Sequence, residues 1–118
     1  MHFTISREAL LKPLQLVSGV VERRQTLPVL SNVLLDLQGS ELSLTGTDLE
    51  VELIGKVAVE EAKSEGSITV PARKLLDICK SLSDDSLIEV ALNENKVLLK
   101  SGRSRFTLTT LPAAEFPN

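Results

Sequence analysis

The apolar pattern of this chain occurs twice. Shifted by 65 positions, Phe3, Thr4, Ile5, Leu10 and Leu11 fall on Ile68, Thr69, Val70, Leu75 and Leu76. Shifted by 55, Val33, Leu35, Leu37, Leu42 and Leu44 fall on Ile88, Val90, Leu92, Val97 and Leu99. The same offset takes Leu49, Val51 and Leu53 to Ser104, Phe106 and Leu108. The change of offset makes the connector of the second copy ten residues shorter. Each copy is read as a strand, a helix and three antiparallel strands, one over about 1–60 and the other over about 66–110. Two helices and eight strands then form a single α+β domain, with both helices on one side of the sheets.

Within the first copy, Phe3 and Ile5 alternate with His2 and Thr4 as in a strand, and Ser6 suits the N-cap of the helix that follows. Leu10, Leu14 and Val17 are its apolar stripe, widened by Leu11 and Leu16. Pro13 is expected to kink or weaken this helix and Gly19 to end it. Residues 20–31 read as a loop carrying Arg23 and Arg24. Three strands follow, with turns at Gln38-Gly39-Ser40 and Gly46-Thr47-Asp48. Leu49, Val51 and Leu53 open the third, and Val57 and Val59 continue its phase past Gly55. Residues 60–66 read as a polar connector.

The second copy contains an amphipathic helix entered directly from a strand. Pro71 suits its first turn. Leu75, Ile78, Cys79 and Leu82 share one face; Arg73, Lys74, Asp77 and Lys80 lie on the other. The last strand pair is expected to turn at Ser101-Gly102, with Arg103, Arg105 and Thr107 outward and Phe106 and Leu108 toward the helices. Residues 103–108 then form a sheet edge open to another chain. The tail 111–118 contains two prolines and reads as the start of an interdomain linker, which makes the chain the first domain of a longer protein.

Charge is distributed unevenly. Segment 6–24 has four cations against Glu8 and Glu22, and segment 71–82 has three against Asp77, so each is +2. With a total of −3, the remainder is −7. Basic helices on acidic strands give a polarised field, whose basic side is either an ordinary solvated face or a surface for phosphate. Three Phe, no Tyr and no Trp argue against an aromatic platform for single-stranded nucleic acid. One cysteine excludes an internal disulfide and fits a reducing compartment. No apolar run approaches the roughly 20 residues of a membrane helix, and the first residues look like a strand rather than a signal peptide. The expectation is a cytoplasmic protein with no membrane partner.

No catalytic constellation is present in the sequence. His2 is the only histidine, and Cys79 lies on an apolar stripe, which suits a buried thiol better than a nucleophile. There is no phosphate-binding glycine loop, CxxC or HExxH. Asp48, Glu50 and Glu52 read as the wet side of a strand and its turn rather than metal ligands. No enzyme, cofactor or metal is expected.

Leu-Leu-Lys-Pro-Leu-Gln (10–15), Thr-Leu-Pro (26–28), Leu-Ser-Leu-Thr-Gly-Thr-Asp-Leu-Glu (42–50), Val-Pro-Ala-Arg-Lys (70–74) and Ser-Gly-Arg-Ser-Arg-Phe (101–106) carry a likeness over essentially the whole chain. Together they resemble the N-terminal domain of the bacterial DNA polymerase III β subunit, the sliding-clamp family. The resemblance implies a chain of three such domains, two of which chains close head to tail around duplex DNA, with helices lining the hole. It implies a processivity factor that tethers the replicative polymerase topologically. Arg24 and Arg73 match the family's DNA-contacting positions; Arg7, Lys12, Arg23, Lys74 and Lys80 are further candidates for the same lining. Lys74, Lys96, Arg103, Arg105, Phe106 and Leu108 match its ring interface. Polymerase and clamp loader would bind through domains beyond this chain. A different class stays open beside it: a free-standing structural or protein-interaction α+β domain with no DNA role.

Overall fold

The computed structural model describes residues 1–21 and 27–117. Strand β1 (His2–Ser6) runs into helix α1 (Arg7–Ser18), and a 3₁₀ turn (Pro28–Ser31) leads to β2 (Asn32–Gln38), β3 (Glu41–Thr47) and β4 (Glu52–Ala58). Then come β5 (Glu61–Ser64), β6 (Gly66–Pro71), helix α2 (Ala72–Ser81), β7 (Leu87–Asn93), β8 (Lys96–Ser101) and β9 (Ser104–Thr109). Two antiparallel sheets result, ordered β5-β1-β7-β8-β9 and β4-β3-β2-β6.

The two copies are not side by side. β1 opens the first copy but pairs with β7 of the second, Phe3 opposite Val90 and Ile5 opposite Ile88. β6 opens the second but pairs with β2 of the first, Val33 opposite Val70 and Leu35 opposite Ile68. Each copy therefore gives its leading strand to the other's meander. Neither meander has its full sheet without the other, and one continuous core from Phe3 to Leu108 joins them.

Capping and packing explain both helices. Ser6 Oγ accepts a 3.1 Å bond from the Ala9 N–H, closing the start of α1. Leu10, Leu14 and Val17 are buried. Leu16, expected to widen that stripe, is 56% exposed, because it projects away from the sheet. The chain is helical through Pro13, and Gly19 ends α1 with its N–H on the Leu16 carbonyl. In α2, Ala72, Leu75 and Cys79 are buried while Ile78 and Leu82 are half-buried. Pro71 is the last residue of β6 and the N-cap of α2, one position earlier than expected.

Four further expectations are corrected. The loop over 20–31 contains the 3₁₀ turn at Pro28–Ser31, which buries Val29 and Leu30. The connector 60–66 contains β5, a ninth strand lying along β1. Its four side chains are all exposed, so it had no apolar alternation to reveal it. The third strand of the first copy begins at Glu52, not Leu49. Leu49 has φ +81 and, with Val51, sits exposed in a turn. Asp48 Oδ1 accepts from the N–H groups of Glu50 and Val51 at 2.9 and 2.7 Å, and Thr47 Oγ1 donates to the Val51 carbonyl. The last hairpin turns at Gly102-Arg103, Gly102 having φ +57, so Arg103 belongs to the turn rather than the strand.

The longer first turn also changes the repeat. Val57 stands opposite Leu42, and Leu108 opposite Val97; Gly55 stands opposite Leu44, and Phe106 opposite Leu99. The third strands are thus related by 51 positions, not 55. A slip of four leaves side-chain alternation unchanged, so the apolar pattern fits either offset.

The tail folds back. Thr69 and Leu111 exchange main-chain bonds of 3.1 and 3.2 Å, Thr69 Oγ1 donates to the Leu111 carbonyl at 2.8 Å, and Phe116 is buried. This covers the outer side of β6. β9 remains the edge of its sheet.

Candidate nucleic-acid interface

The 3.6-residue period of α2 buries Ala72, Leu75 and Cys79 and so turns Arg73, Lys74, Asp77 and Lys80 outward. The C-terminal half of α1 runs beside it. Between them lies a groove of about 510 Å³. Arg73, Lys74, Leu76 and Lys80 line it from α2, and Gln15 and Ser18 line it from α1. None of its described lining residues is acidic. Among the described residues, Arg73, Lys74 and Lys80 form no ion pair; the ion pairs there are His2–Glu89 and Arg7–Asp84. Three cations without ion pairs beside one groove, against the single exposed Asp77 of α2, suit a polyanion contacted through its phosphates.

The other predicted cations are placed differently. Lys12 is exposed on α1 but does not line the groove. Arg7 has its side chain only 14% exposed. Its Nε donates to the Cys79 carbonyl at 2.8 Å and its Nη1 to Asp84 Oδ1 at 3.1 Å. Arg23 and Arg24 lie outside the described residues. Gln15 and Ser18 were not singled out from the sequence. Leu11, Gln15 and Ser18 follow i, i+4, i+7 spacing beside the buried stripe, and that was the available signal.

The edge candidates separate by burial. Arg105 is exposed on β9, Arg103 is exposed in the preceding turn, and Lys96 is exposed at the start of β8. Phe106 is half-buried against the core, whereas Leu108 is 4% exposed and belongs to it. Its side chain is covered by this domain, in keeping with a residue that faces the helices. α2 packs on β9, so Lys74 and the edge strand belong to the same end of the molecule.

The titratable groups elsewhere are engaged in structure. Burial pushes the Cys79 thiol up to about 11, with only a small opposing effect from the Arg7 charge. The backbone N–H groups of Val51 and Glu50 hold Asp48 below the usual carboxylate range. A 2.6 Å bond from His2 Nε2 does the same for Glu89. Among the described residues, no group of three His, Cys, Asp or Glu could hold a metal ion, and no helix is long and apolar enough to cross a membrane.

The family model of the DNA polymerase III beta subunit, N-terminal domain, matches residues 1–118. The beta sliding clamp of Pseudomonas putida is 74% identical over 117 residues, which are 99% of this chain and 32% of that protein. The beta sliding clamp of Vibrio harveyi is 57% identical over the whole chain and 81% of its own sequence. In three dimensions the chain is similar to the crystal structure of the DNA polymerase III subunit beta from Pseudomonas aeruginosa. The TM-score is 0.96 at 69% identity, covering 100% of this chain and 32% of that one. The Caulobacter crescentus pol III beta gives the same TM-score at 42% identity. The chain thus spans about a third of the length of most relatives it matches. On this match over its full length, the chain belongs to the DNA polymerase III beta subunit family, as its N-terminal domain.

Proposed function

We propose that this domain is one segment of a sliding clamp that encircles duplex DNA and tethers a replicative DNA polymerase to it, without catalysing a reaction itself. The observation that carries the reading is the groove between α1 and α2, where Arg73, Lys74 and Lys80 face outward with no carboxylate among its described lining. Phosphate contacts of that kind are independent of base sequence and weaken with salt. They suit a protein that must move along DNA rather than stop on it.

In this reading Arg24 and Arg73 are the principal DNA contacts, with Lys74 and Lys80 beside Arg73, and with Arg23 and Lys12, the latter outside the groove, as further contacts on the same wall of the ring's hole. The exposed edge β9, with Lys74, Lys96, Arg103, Arg105 and Phe106, meets a second clamp chain head to tail. Residues 1–118 are the first domain. Further domains complete the ring in the cytoplasm and carry the sites for polymerase and loader. The competing reading, a structural domain with merely solvated helices, gives no reason for three cations beside a groove with no carboxylate among its described lining, in a chain whose net charge is −3.

The test uses the full-length protein loaded by its clamp loader onto nicked circular DNA, washed at high salt, then treated to linearise the DNA. Retention on circles and release from cut DNA is the expected result, with Arg24→Ala and Arg73→Ala acting mainly on loading and on low-salt contact. Equal release from circular and linear DNA would overturn the reading.

A further inference from the structure

Arg7 violates a local rule. It is the first residue of α1, where a cation meets the positive end of its own helix dipole. The violation is resolved by the other helix. The Arg7 side chain crosses to the C-terminal end of α2, and its Nε donates 2.8 Å to the carbonyl of Cys79. There the dipole is negative and a carbonyl lacks its intrahelical donor. The Leu82 N–H reaches the same oxygen only at 3.3 Å. Nη1 then meets Asp84 at 3.1 Å in the turn after α2. The Arg7 main-chain N–H donates to the Ser86 carbonyl at 2.8 Å, and Ser6 pairs with Leu87 at the start of β7. One residue thus binds the end of α2 and the following turn to the start of α1. The repeat does not reproduce the tie. Shifted by 65, Arg7 becomes Ala72, which has no side chain to return it.

We propose that Arg7 is a positioning residue for the DNA-facing surface. It fixes the end of α2, and so the orientation of the Arg73–Lys74–Lys80 face, and does not itself contact phosphate. This rests on the clamp reading for the role of that face. A phosphate contact needs an accessible guanidinium, and this one is 86% covered with two of its donors committed. Lysine would not replace it, because an ammonium lacks the planar fork that reaches carbonyl and carboxylate together.

Two readouts on the full-length protein separate positioning from contact, for Arg7→Met and Arg7→Lys with Arg73→Ala as reference. The first is hydrogen exchange of the peptide covering 76–87. The second is the salt dependence of binding to a short linear duplex. Arg7→Met should speed exchange in that peptide by about tenfold, as local opening of the last turn becomes easier. It should weaken duplex binding roughly three- to tenfold at fixed salt, as expected for a typical single-site loss. The slope of log affinity against log salt should stay unchanged, whereas Arg73→Ala should reduce it by about 0.9. Arg7→Lys should behave like Arg7→Met. A slope reduced by Arg7→Met and restored by Arg7→Lys would make Arg7 a phosphate contact and overturn the proposal. Faster exchange with unchanged duplex affinity would overturn it as well. Should Arg7→Met not fold, Asp84→Ala removes one bond of the tie at an exposed site, and exchange over 76–87 must still rise. Absence of salt-dependent duplex binding by the unsubstituted protein would count against the clamp reading instead, and the exchange comparison would still decide whether Arg7 holds α2.

Discussion

Pro13 of α1 lies directly on Gly55 of β4: a Cβ built on Gly55 would come within 2.7 Å of the proline Cβ. One turn further along, a Cβ on Gly46 would come within 2.6 Å of the Val17 carbonyl oxygen. The two glycines let the helix rest on the strands with backbone against backbone. Alanine at either site would gain about 0.5–1 kcal/mol from lower strand entropy cost. Overpacking a rigid contact costs about 1–3 kcal/mol, so the loss wins. Thermal unfolding should show Gly55→Ala and Gly46→Ala both destabilised. Gly46→Ala should be the worse, since its obstacle is a main-chain carbonyl. Unchanged melting would mean that α1 can lift from the sheet without cost.

Thr69 is fully buried between two partners. Its Oγ1 accepts from Asn32 Nδ2 at 2.9 Å and donates to the Leu111 carbonyl at 2.8 Å. Thr69→Val keeps the shape and strands the Asn32 amide, a loss of about 1–3 kcal/mol. The tail 111–117 should then open more often. Limited proteolysis should cut there faster in Thr69→Val, while Asn32→Ala combined with Thr69→Val should recover part of the stability by removing the stranded donor.

These contacts show where the sequence was readable. The buried stripe of α1, the buried face of α2 and most strands follow from apolar spacing, because burial on one face imposes it. β5 was invisible for the opposite reason. Glu61, Ala62, Lys63 and Ser64 are held by main-chain pairing alone and leave no side-chain pattern. The turn at Asp48–Val51 imitated a strand because Leu49 and Val51 keep the phase of β4 while standing exposed. At the site, the basic face of α2 was legible, since a helical period places Arg73, Lys74 and Lys80 opposite Leu75 and Cys79. The diversion of Arg7 was not legible, because its partners lie 72 and 77 positions away.

Cys79 should be chemically silent in the folded domain. Its side chain is buried and its thiol is pushed up to about 11. At pH 8 the thiolate is then about one part in a thousand. Iodoacetamide should label it slowly in buffer and fully in denaturant, read by intact mass. The sign of the linked stability follows. A thiol with a raised folded value favours the native state below its usual 9.0, and that advantage is lost as pH rises from there through about 11. Cys79→Ala should flatten this alkaline part of the stability curve.

The His2–Glu89 pair acts at the other end of the pH scale. The His2 hydrogen bond is the largest cause holding Glu89 below its usual range, with smaller help from Lys63 and Lys100. A carboxylate with a lowered folded value stabilises the native state above its unfolded value and loses that effect as pH falls through the folded one. NMR titration of the Glu89 side chain should move upward in His2→Ala. No movement would mean that Lys63 and Lys100 hold the charge instead.

Phe106 and Leu108 are two residues apart on the same edge strand, yet they should fail in different ways. Leu108 is 4% exposed within the core of this domain. Leu108→Ala should therefore cost about 2–5 kcal/mol, seen as a lower melting temperature whatever the state of assembly. Phe106 is only half-buried, so part of its ring is left for a partner placed against β9. Phe106→Ser should leave the domain folded by circular dichroism and lower the association of the full-length protein, measured by sedimentation across a dilution series. Lys96→Glu and Arg105→Glu, at exposed sites beside the same edge, should weaken association further and make it respond to salt in the opposite direction if carboxylates face them from the partner. Dissociation caused by Leu108→Ala but not by Phe106→Ser would mean that the edge acts only through the integrity of its own core, and β9 would no longer qualify as the ring contact.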